Sequence, residues 1–81
     1  MSNNEGNLAS RSFPDLIDTL VRMVGATGTV QECYGGIRIE VADPTAFPWG
    51  NVLQGLLNAK EEVWVRMHDA KIEIMSKSAG P

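Results

Sequence analysis

Few side chains in this 81-residue chain have the chemistry of a reaction centre. His68 is the only histidine, and an imidazole is the one side chain that ordinarily titrates near neutrality. Proton transfer or metal binding needs company within reach: a second imidazole, a thiolate, or a hydroxyl with a reason to be activated. His68 has Asp69 beside it and none of these, which reads as an exposed structural histidine in a turn. Cys33 is the single cysteine, so the chain has neither an internal disulfide nor a cysteine-based metal site. With His68 it makes half a metal site, to be completed only by another copy.

The other candidates weaken in the same way. Glu61 and Glu62 are adjacent, and on a strand they point to opposite faces, which is poor geometry for shared acid–base work. Gly35-Gly36 and the Gly25 to Gly28 stretch lack the strand–loop–helix setting and the lysine of a phosphate-binding loop. No catalytic residue, metal or cofactor is expected, no small-molecule substrate is evident, and the expectation is that the protein is not an enzyme.

What remains is surface chemistry, and it concentrates in Glu62 to Ser76. Two runs of alternating apolar and polar residues flank a short polar turn, the pattern of a β-hairpin with one buried face. A two-residue turn at Asp69-Ala70 pairs Met67 with Ile72 and Val65 with Ile74 on the core side. On the other side it pairs His68 with Lys71, Arg66 with Glu73 and Trp64 with Met75. Val63, Val65, Met67, Ile72 and Ile74 are therefore expected in the core. Trp64, Arg66, His68 and Met75 are expected without cover, joined on that face by Arg38 and Cys33 of an earlier hairpin. Exposed Trp, Met and Arg are enriched at protein contact sites, so these six residues form the candidate interface.

The elements that must position them follow in order. Residues 1–11 are polar and read as a flexible tail. Ser12-Phe13-Pro14-Asp15 is a helix start, and Phe13, Leu16, Ile17, Leu20, Val21 and Val24 make an apolar stripe that ends at Gly25. Thr29 to Tyr34 and Ile37 to Ala42 form a hairpin. A turn at Gly35-Gly36 pairs Tyr34 with Ile37, Glu32 with Ile39 and Val30 with Val41 on the core side, and sets Cys33 opposite Arg38. Glu32 then points inward, as a guard against unwanted strand pairing. A three-residue turn would instead leave Glu32 in solvent and bring Gln31 and Cys33 inward.

Asp43 or Thr45 can cap a turn in the next connection. Trp49, Val52, Leu53, Leu56 and Leu57 recur at helical spacing, although Gly50 and Gly55 each cost about 1 kcal/mol against alanine, so this helix must rely on packing. Asn58 is its expected cap, and residues 77–81 read as a second tail beyond a single domain at 12–76. The order is αββ repeated, with Phe13-Pro14 and Phe47-Pro48 opening the halves. It predicts an α+β, two-layer αββαββ sandwich: a four-stranded antiparallel sheet with two helices on one face. This is a permuted ferredoxin-like topology, with the first strand moved to the end, a likeness of topology and not of family.

Composition bounds the function. Hydrophobic content of 43% and charge of 21% fit a folded domain, and a chain this short buries only about 60–65% of its unfolded surface, which favours help from a partner or a second copy. A net charge of −3 disfavours a dedicated nucleic-acid binder. No secretory leader and no membrane-spanning run is expected, and a cytoplasmic location is the default. The leading expectation is a small acidic protein–protein interaction module, a homodimer or an adaptor or inhibitor of a larger assembly, binding through the open sheet face. One alternative is single-stranded nucleic acid stacked on Trp64 with Arg38, Arg66 and Lys71 near phosphates. The other is an enzyme subunit with a site between protomers that uses His68.

Overall fold

The computed structural model describes residues 13–78; the expected tail at 1–11, the Ser12 cap and the last three residues lie outside them. Helix α1 (Phe13–Val24) runs through a 3-10 turn (Gly25–Thr27) into strands β1 (Gly28–Cys33) and β2 (Gly36–Val41). Helix α2 (Trp49–Asn58) leads into β3 (Glu61–His68) and β4 (Lys71–Ser78). The strands form one antiparallel sheet in the order β1-β2-β4-β3, so β2–α2–β3 crosses over the strand that separates its ends. Leu16, Leu20 and Val24 of α1 and Val52 and Leu56 of α2 share one core with Ile37, Ile39, Val41 and Ile74, which places both helices on the same face. The expected α+β class and two-layer arrangement are what form.

Local chemistry fixes the joints. Gly25 at φ +55° ends α1 in the left-handed region. The Thr27 carbonyl accepts the amides of Ala42 and Asp43 at 2.8 and 3.0 Å, tying the exit of α1 to the end of β2. In the next connection an Asp43 carboxylate oxygen accepts the Ala46 amide at 3.3 Å. The Trp49 indole donates to the Pro44 carbonyl at 2.9 Å, and its ring meets Phe47 edge-on at 4.8 Å. These contacts hold the start of α2, which has no side-chain cap.

The β3–β4 register is the expected one, residue for residue: Trp64 opposite Met75, Val65 opposite Ile74, Arg66 opposite Glu73, Met67 opposite Ile72, His68 opposite Lys71. The first hairpin turns one residue earlier than expected. Tyr34 (φ +50°) and Gly35 (φ +79°) make the turn, and Tyr34 is fully exposed instead of buried against Ile37. Val30 consequently pairs with Ile39, Glu32 with Ile37, Gln31 with Arg38 and Cys33 with Gly36. Glu32 keeps its place on the helix side but lies exposed at the sheet edge. The reason is Gly36. It belongs to β2, where a Cβ would sit 1.9 Å from the Ser76 carbonyl oxygen of β4, so the seam between central strands requires glycine at 36 and the turn moves to 34–35.

Four further apolar residues expected in the core are not there. Val21 and Leu57 lie on the outer flanks of their helices and are exposed, because the sheet beneath takes only the Leu16–Leu20–Val24 and Val52–Leu56 lines. Val65 and Met67 face the helix side of the sheet, as alternation requires, yet are 52% and 65% exposed. Ten helical residues span about 15 Å, whereas the eight residues of β3 span about 27 Å, so α2 covers only the start of β3. Finally, β4 runs to Ser78, two residues past the expected end of the hairpin at Ser76, because Lys77 pairs with both Gly36 and Glu62, and Ser78 with Glu61.

Two stability predictions follow from the backbone. Gly36→Ala forces β2 and β4 apart and should cost about 1–3 kcal/mol in urea denaturation; an unchanged midpoint would contradict the close approach. At the β3–β4 turn, Asp69 (φ +54°) and Ala70 (φ +65°) are both left-handed. Relieving an alanine there is worth roughly 1 kcal/mol, so Ala70→Gly should raise the midpoint, and a loss of stability would contradict the turn geometry.

Candidate functional site

The sheet face away from the helices carries the candidate interface. Reading across β1, β2, β4 and β3, one row is Gln31–Arg38–Met75–Trp64 and the next is Thr29–Glu40–Glu73–Arg66. Cys33, Gly36, Lys77 and Glu62 lie beyond the first row, and Lys71 and His68 beyond the second. All six expected interface residues therefore share this face. Arg38, Met75 and Trp64 form one continuous row with Arg66 beside it. Cys33 and His68 stand at opposite corners, on the two edge strands, so they do not come together within one chain. His68 Nε2 lies 3.4 Å from Asp69 Oδ2, and both side chains are exposed at the hairpin tip.

At the centre is a residue whose importance the strand pattern alone does not reveal. Glu73 is only 1% exposed although neither described helix covers this face. Arg66 donates from Nε to its Oε1 at 2.9 Å, and Arg38 Nη1 lies 3.9 Å from its Oε2. Arg38 also donates from Nη2 to Gln31 Oε1 at 2.7 Å, which fixes its guanidinium between the first two strands. The carboxylate is thus sheltered by a single layer of arginine side chains. The cross-strand Arg66–Glu73 pair is legible from the hairpin, but the second arginine arrives only through the β2–β4 pairing.

The arginines answer a local conflict. Glu40 stands directly opposite Glu73, and like charges so placed repel. Among the described residues the Glu40 side chain makes no ion pair or hydrogen bond of its own. The Arg66 hydrogen bond holds the Glu73 carboxyl below the ordinary carboxylate range; loss of water around it opposes this, and the charges of Arg66, Arg38 and His68 add to the lowering.

On the helix side, Glu61 is buried and accepts the Ser76 hydroxyl at 2.9 Å, whereas Glu62 lies on the open face 3.8 Å from Lys77. The adjacent carboxylates therefore occupy opposite faces, as expected. Among the described residues, no group of three or more His, Cys, Asp and Glu is arranged to hold a metal ion, and no helix is long and apolar enough to cross a membrane.

Comparison with protein-family models, curated proteins and solved structures returned no match. The functional reading therefore rests on the composition of this face. It holds four of the chain's seven cations but only three of its ten carboxylates, so it is the least acidic part of an acidic protein. At its β3 end Trp64 is 43% exposed beside Met75.

A lowered carboxyl pKa contributes stability that is present above the ordinary value near 4.5 and is lost as pH falls through the folded-state value. Glu73→Gln should therefore be less stable than the parent near neutrality. The gap in urea midpoints should close as pH is taken from about 7 toward about 3. A gap that stays constant across that range would contradict the assignment.

Proposed function

We propose that this chain is a small non-enzymatic protein–protein interaction module, an adaptor or inhibitor of a larger assembly, that binds through its open sheet face. The observation that carries the reading is the uncovered row Arg38–Met75–Trp64 next to the Arg66–Glu73–Arg38 network. Trp64 and Met75 offer an apolar platform, and the surrounding cations favour a partner that brings carboxylates around an apolar anchor. The ion network holds that platform in one conformation before a partner arrives, which lowers the ordering cost of binding.

The same network disfavours the nucleic-acid alternative. Both arginines nearest Trp64 are committed to Glu73, and Glu40 and Glu73 place negative charge where phosphates would run.

Affinity purification of the chain from its native host, with the mass of the recovered complex measured by light scattering, tests the reading. A protein partner should be retained by the parent and lost with Trp64→Ala, while far-UV circular dichroism shows the variant folded. Hot-spot tryptophans cost about 2–4 kcal/mol on truncation, so the loss should be at least roughly thirtyfold in affinity. Retention of the partner by Trp64→Ala, or recovery of nucleic acid in its place, would overturn it.

A further inference from the structure

The exposed apolar groups are not scattered. Of the six large hydrophobic residues left exposed among the described residues, Trp64, Val65 and Met67 lie on β3, an edge strand, and Leu57 lies on α2, the helix that packs on it. Trp64 is on the open face of that strand and Val65 and Met67 on its helix face. Gly55 of α2 faces Met23 of α1, and Leu57, about 200° further round the helix, faces away from α1.

The backbone of this edge is also unpaired. Residues flanking a two-residue hairpin turn exchange both hydrogen bonds, and the bonded pairs then alternate along the ladder. His68, Arg66 and Trp64 therefore direct their amides and carbonyls to β4, while Val63, Val65 and Met67 direct theirs off the edge. Among the described residues no strand lies beyond β3. The other edge strand is unlike it: β1 is two residues shorter, is mostly polar, and carries Glu32 on its helix side.

We infer that β3 pairs antiparallel with β3 of a second copy, joining two four-stranded sheets into one of eight strands. The occupant is argued from the strand's complementarity to itself. With Val65 on the two-fold axis, Val65 faces Val65, Val63 faces Met67, Trp64 faces Arg66 and Glu62 faces His68. Apolar groups meet on the helix side, while a cation meets an aromatic ring and a carboxylate meets an imidazole on the open side. All outward amides of Val63, Val65 and Met67 find carbonyls in this register. Shifting the axis to Trp64 would set Met67 against Glu61, whose carboxylate is already buried on Ser76. The two α2 helices then flank the axis on one side.

The edge pairing shares the Trp64 ring with the open-face reading but rests on the backbone of Val63, Val65 and Met67, and Val65→Lys breaks it while leaving the Trp64–Met75–Arg38 row in place. Sedimentation equilibrium should show the parent as a dimer and Val65→Lys as a folded monomer, since an edge lysine resists strand addition. In a Cys33→Ser background, Val65→Cys should form a disulfide-linked dimer on oxidation. Cα atoms of a hydrogen-bonded antiparallel pair lie about 5.5 Å apart, within the reach of a disulfide. Met67→Cys should not cross-link, because two copies of that position lie more than about 13 Å apart along the strand. A parent that stays monomeric at millimolar concentration, a dimeric Val65→Lys, or cross-linking through Met67→Cys or Trp64→Cys in preference to Val65→Cys would overturn the inference. Partner capture by monomeric Val65→Lys separates its failure from that of the open-face reading.

Discussion

The structure depends on a mismatch of lengths. A ten-residue helix is asked to cover an eight-residue strand pair, and at about 1.5 Å per helical residue against about 3.4 Å per strand residue it cannot. The apolar core follows where the helices reach: Val52 and Leu56 share one buried cluster with Ile39 and Ile74. Everything exposed follows where they do not. Val65 and Met67 carry the alternation of a core strand without a core above them. A domain this small has no spare chain among its described residues to cover them, and its apolar edge is left for another molecule.

The open face meets a different constraint. Its central position, beside β2 on one side and β3 on the other, receives a carboxylate from β4 directly opposite a second one from β2. Arg66 and Arg38 resolve the clash, and in doing so they roof Glu73 and order the surface around Trp64. Structure and surface chemistry are linked here: the ions that make the sheet tolerable also set the geometry of the platform a partner would meet.

Much of this is legible in the residues, and the reasons for the exceptions are physical. The β3–β4 register can be read outright, because only one pairing matches Trp64 with Met75, Arg66 with Glu73 and the apolar groups with one another. The six candidate interface residues share a face even though the first hairpin is displaced, since moving its turn by one residue shifts each pairing by two and preserves the side. That displacement itself is not local information. Gly35-Gly36 looks like a turn until β4 is known to lie so close to Gly36 that no side chain fits. Likewise, alternation tells which face Val65 and Met67 occupy but not whether a helix arrives to cover it, and the burial of Glu73 depends on an arginine from a strand far away in sequence.

Amide hydrogen exchange along β3, followed residue by residue across a dilution series, tests the central claim most directly. Trp64 and Arg66 should be protected at every concentration, because they bond to β4. Val63, Val65 and Met67 should exchange fast in dilute solution and become protected as concentration rises and the free edge is taken up by a second copy. Uniform protection of all five at every dilution, or no gain by Val63, Val65 and Met67 at the highest concentration, would contradict the account.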